Sequence, residues 1–111
     1  MKLAIIGCND AVISGEMSKY INHTEVTGLI LGHEEGLRGA AMLWVDRYKI
    51  PVIYALPYYD TDGDEAELFA RRKIINYADK ILYFATGNGD IEWVRDACAE
   101  KKKPLEIFYI I

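Results

Sequence analysis

Five short apolar runs recur along this chain, and a segment with helical apolar spacing follows each of the first four. The runs are Leu3–Cys8, Leu29–Leu31, Val52–Leu56, Ile81–Ala85 and Leu105–Ile111. Between them, Ile13, Met17, Tyr20 and Ile21 form one stripe over about Ser14 to Ile21, and Ala40, Ala41, Trp44, Val45 and Tyr48 form another over Leu37 to Tyr48. Ala66, Ala70, Ile74 and Ala78 lie four apart over Asp64 to Ala78, and Ile91, Val94 and Cys98 follow Asp90. Side chains three and four residues apart share a helix face, so each stripe can bury against a sheet. Pro51 and Pro104 cannot continue a helix and stand just before the third and fifth runs. Strand alternating with helix predicts an α/β fold in three layers, a five-stranded parallel sheet between helices, with right-handed crossovers. The expected strands lie near 3–8, 28–32, 51–56, 80–85 and 105–110.

A single domain of 111 residues can hold this architecture, and 51% hydrophobic residues argue against disorder. The net charge of −4 lacks the basic face of a general nucleic-acid binder. Cys8 and Cys98 have neither metal spacing nor a disulfide framework, which fits a reducing cytosol and a cytoplasmic protein. The N-terminal apolar run is too short for a signal peptide, and no run approaches the length of a membrane span. No metal site and no cofactor is expected.

In parallel sheets ligands bind beyond the strand C-termini, where the strand order reverses. For the order 3-2-1-4-5 that point lies between the first and fourth strands. Three turns then meet at one rim: Gly7 to Asp10, Gly32 to Gly36, and Thr86 to Asp90. Glycines let a ligand approach the backbone, and a helix N-terminus offers unpaired N–H groups to an anion. The same glycines also serve an ordinary turn. Glu34 can accept from ribose hydroxyls and Glu35 suits the helix dipole, while both would repel a phosphate dianion. His33 is either a ligand contact or a solvated loop residue. Arg72 either pairs with a phosphate or forms a salt bridge to Glu65 or Asp79. Cys8 reads as a small buried residue, and Tyr58 and Tyr59 as either a base-stacking pair or an oligomer contact.

Several stretches resemble the small single-domain branch of the SLOG superfamily, named for the Smf/DprA and LOG proteins. They are Gly32-x-x-x-Gly36 with Ala41 and Trp44, then Ile50-Pro51-Val52, then Arg72-x-x-Ile75-x-x-Ala78-Asp79, then Lys103-Pro104. The resemblance implies a Rossmann-like fold that binds nucleotides or their derivatives at the sheet's C-terminal rim. The branch's usual Ser-Gly-Gly-Ala-x-Gly-x-Asp stretch stands here as Leu31 to Arg38, without the second glycine or the aspartate. The phosphoribohydrolase relatives carry Pro-Gly-Gly-x-Gly-Thr-x-x-Glu in the later turn, and Glu92 falls outside that spacing.

The leading expectation is a sensor or carrier of a nucleotide-derived small molecule. Its expected ligand contacts are Gly7, Asn9, Gly32, His33, Glu34, Gly36, Arg72, Gly87, Asn88, Gly89 and Asp90. The alternatives are a hydrolase of nucleotide N-glycosidic bonds, with Glu92 and Asp90 as candidates for chemistry, and a ligand-free interaction module. The apolar C-terminus, with Trp44 and Tyr48, predicts a homodimer or a larger homo-oligomer.

Overall fold

The computed structural model describes residues 1–13, 17–87 and 91–110. Its strands are β1 (Lys2–Gly7), β2 (Gly28–Leu31), β3 (Val52–Tyr54), β4 (Lys80–Ala85) and β5 (Leu105–Tyr109). They form one sheet in the order β3-β2-β1-β4-β5, and every pairing is parallel. The chain is thus a Rossmann-like α/β fold. β1 lies at the centre, where Ala4 pairs with Ile30 on one side and Ile81 on the other. Leu3 to Ile6 are buried, as a strand covered on both faces requires.

The helices are α1 (Glu35–Tyr48), α2 (Tyr59–Asp62), α3 (Ala66–Tyr77) and α4 (Glu92–Lys101). α3 and α4 pack together, and α1 packs with the connection between β1 and β2. No helix among the described residues is long and apolar enough to cross a membrane. Of the expected α1 stripe, Ala41, Trp44 and Val45 are buried and Ala40 and Tyr48 half-buried, and Leu37 joins them; Ala66, Ala70, Ile74 and Ile75 are buried on α3, and Val94 and Cys98 on α4.

The connection from β1 to β2 departs from expectation. Ser14 to Glu16 lie outside the described residues, and from Met17 the chain makes 3-10 turns at Met17–Lys19 and His23–Glu25 instead of an α-helix. Asn22 ends the first segment by capping the next turn, its side chain accepting the Thr24 N–H at 3.1 Å and the Thr24 hydroxyl at 2.8 Å. The stripe still packs inward, since Ile13 and Met17 are buried and Tyr20 and Ile21 pack on the core. The acidic stretch after β3 also carries a helical turn, α2, where a loop is expected.

The apolar C-terminal strand is the edge of the sheet rather than a projecting tail. Phe108 stacks on Phe84 at 5.2 Å, and Tyr20 meets both rings edge-on at 4.9 and 5.0 Å. Trp44 is buried and Tyr48 half-buried, so these rings are largely covered within the chain.

Candidate functional site

A cleft of about 390 Å³ opens at the C-terminal rim of the sheet, on the side covered by α3 and α4. The end of β1 contributes Gly7 to Asp10, the β2–α1 turn Gly32 to Glu34, and β4 Tyr83. α3 contributes Glu67 and Arg71, and α4 contributes Trp93. The β1 and β4 turns are tied together where the Thr86 hydroxyl donates to Asp10 Oδ1 at 2.8 Å. The Thr86 N–H also points to Cys8 Sγ at 3.5 Å, and that sulfur lies 3.7 Å from the Tyr83 hydroxyl. Burial first, and the Cys8 contact second, push the Tyr83 phenol above its usual range.

Glu34 is the unusual residue of this cleft. It is only 8% exposed, and its Oε2 has no hydrogen-bond partner. A buried carboxylate normally carries bonds to its oxygens, because desolvating a charge without them is costly. Burial is the main influence on Glu34 and raises its pKa. Its own N–H, the charge of His33, the Gly7 N–H and the charge of Arg71 pull the value back, in that order. Gly32 makes the placement feasible: a Cβ there would lie 2.6 Å from Glu34 Oε2. Glu34 is also the residue at the N-cap of α1. Its carboxylate makes no cap bond to the helix and lies against Gly32, so an acidic residue sits beside the helix terminus that a Rossmann-type site offers to phosphate.

Arg71 supplies the cleft's guanidinium, stacked over the Trp93 ring at 4.3 Å. Such stacking holds the guanidinium plane and leaves the N–H groups at its edge free to bond. Trp93 is braced in turn by Tyr83, edge-on at 6.0 Å.

The structure therefore brings together Gly7, Asn9, Gly32, His33 and Glu34 from the sequence expectation. Asn88, Gly89 and Asp90 lie outside the described residues. Three other expected contacts are placed elsewhere. Arg72 is exposed and turned out of the cleft, because one residue along a helix rotates a side chain by about 100°. Gly36 faces the chain leaving β1, where a Cβ would sit 2.4 Å from the Ala11 carbonyl oxygen. Its role is close packing, not ligand approach. Gly87 is exposed and lines no part of the cleft. Glu92 is likewise exposed, and its neighbour Trp93 lines the cleft in its place.

Sequence reasoning missed Arg71, Trp93, Tyr83 and Glu67 as cleft residues. A signal for Arg71 was present: the buried positions 74 and 75 lie three and four residues beyond it, which puts it at the margin of the inward stripe. Trp93 had no comparable local signal. Among the described residues, no cluster of three His, Cys, Asp or Glu side chains is placed to hold a metal. Comparison with protein-family models, with curated proteins and with solved structures gives no match to this chain.

Proposed function

We propose that this chain binds a nucleotide or nucleotide derivative at the rim, as a sensor or carrier, with sugar hydroxyls on Glu34 and phosphate toward Arg71. The observation that carries this reading is the buried Glu34 carboxylate whose Oε2 lacks a partner beside an open cleft. A vicinal diol offers two donors to one carboxylate, and it would reach the enclosed Oε2 once the side chain turns from Gly32 toward the cleft. Two features support the assignment: the cleft's place where the strand order reverses, and the sequence's resemblance to the SLOG branch. Arg71 takes the role that the resemblance gave to Arg72.

Calorimetry tests the reading with nucleosides and nucleoside monophosphates of all four bases, each beside its 2′-deoxy counterpart. At least one ribonucleoside series should bind. Its deoxy counterpart should bind about tenfold or more weakly, since a hydrogen bond to a charged group contributes about 1.5–3 kcal/mol. Glu34→Ala should remove that preference. Arg71→Ala should weaken the monophosphate and spare the nucleoside. Equal affinity for ribose and deoxyribose forms would overturn the placement of the sugar on Glu34.

The raised pKa of Glu34 favours one second reading, an N-glycosidic hydrolase. In it the protonated carboxyl gives its proton to the departing base as the C1′–N bond breaks, water bonds C1′ through its oxygen, and the water's proton returns to the Glu34 carboxylate. Release of free base from nucleoside monophosphates, lost in Glu34→Gln, is the expected sign of it.

A further inference from the structure

We propose that the groove between α3 and α4 binds the distal phosphate of the rim's ligand. The preferred ligand is then a nucleoside diphosphate, or a derivative bridged through two phosphates, rather than a monophosphate. The ligand class rests on the nucleotide reading above; the anion site in the groove does not.

Phosphate is disfavoured at the turn from β2 into α1. Glu34 at the N-cap of α1 and Glu35 after it put two acidic residues at the start of that helix. Asp10 and Glu67 line the same cleft, so its only fixed cation is Arg71 among the described residues. A phosphate chain is repelled from the turn and drawn to the opposite wall.

That wall is shared. Arg71 and Trp93 line both the cleft and a second depression of about 480 Å³ on the outer side of α3 and α4. Beyond them the groove carries Arg72 and Lys101, with Glu100 as its single acid and Asn76 as a neutral donor. Three cations against one carboxylate is a local excess of positive charge on a chain whose net charge is −4. Arg71, Arg72 and Lys101 make no ion pair with a described carboxylate within 4 Å. A two-phosphate bridge leaving the cleft at Arg71 would therefore reach Arg72 and Lys101 next. Charge complementarity selects the occupant, and the forked Arg donors match phosphate oxygens.

The test uses inorganic pyrophosphate and one nucleoside with its mono- and diphosphate, against the wild type and the double variant Arg72→Ala/Lys101→Ala. Both side chains are exposed, so the variant should keep its circular dichroism and melting point. The wild type should bind the diphosphate about tenfold tighter than the monophosphate. The double variant should lose that gain, bind the nucleoside unchanged, and no longer broaden the phosphorus resonance of pyrophosphate. Equal affinity for the two phosphates in the wild type, or a gain that survives in the variant, overturns the proposal. Pyrophosphate binding that needs Arg72 and Lys101, with no nucleoside bound at all, upholds the anion site while the nucleotide reading falls.

Discussion

Glu34 holds a carboxyl group in a place that disfavours its charge, and the consequence is a definite pH dependence. Burial raises its folded pKa above the ordinary value of 4.5. Between those two values the folded chain binds more protons than the unfolded chain. Stability therefore falls as pH rises through that window and is flat above it. Glu34→Gln keeps the shape and removes the titration. The variant should match the wild type in urea denaturation at pH 4 and exceed it at pH 8. A variant that is less stable at pH 8 would mean that the carboxylate is well solvated or fully bonded. Asp79 contributes with the opposite sign. Its carboxylate accepts the Lys2 N–H at 2.8 Å, chiefly for which its pKa lies below the usual value. The stability from that bond is present above the ordinary aspartate range and is lost as pH falls through the lowered value.

The turn from β2 into α1 shows how two glycines four residues apart serve different ends. A Cβ on Gly32 would meet the Glu34 carboxylate, the free end of a side chain that can move. A Cβ on Gly36 would meet the Ala11 carbonyl oxygen at 2.4 Å and Val12, which are held by the backbone of the β1 exit. Gly36→Ala should therefore cost about 1–3 kcal/mol in urea denaturation, the range for overpacking. Gly32→Ala should cost much less and instead push the carboxylate toward the cleft, changing ribose affinity more than stability. A reversed ranking would show that the turn, not the β1 exit, is the rigid partner. α3 makes a related point. Its inward stripe of Ala66, Ala70, Ile74 and Ile75 fixes the helix rotation, and that rotation puts Arg71 on the cleft and Arg72 in the groove beyond.

For the whole molecule, the strand order puts the most protected backbone in β1 and β4. β1 is bonded on both sides by β2 and β4, and β4 by β1 and β5. β3 and β5 each keep one open side at the sheet's edges. Local opening is easiest where backbone bonds are few and exposed. Amide hydrogen exchange should therefore be slowest at Leu3 to Ile6 and Ile81 to Phe84, and fastest among the strands at Val52 to Tyr54. Slower exchange in β3 than in β1 under the same conditions would point to a covered edge, and thus to a partner on that side.

The five apolar runs and their intervening stripes determined the layers, the parallel sheet and the rim at which its turns meet. Those features follow from periodicity, which is a property of neighbouring residues. The sequence also marked Gly7, Asn9, Gly32, His33 and Glu34 as rim residues, because all of them lie within a few positions of a strand end. Tertiary structure alone decided the rest. The stripe on α3 set Arg71 nearer the inward face than Arg72, but only the docking of α3 made a cleft there for Arg71 to line. Gly36 looks like a ligand glycine until the Ala11 carbonyl arrives from another part of the chain. Trp93 becomes part of the site because α4 lies beside α3 and puts its ring under Arg71. The burial of Glu34 depends on Gly32 locally and on the β1 rim and α3 at a distance. Long-range packing sets the desolvation of that carboxylate, and local sequence carries no direct record of it.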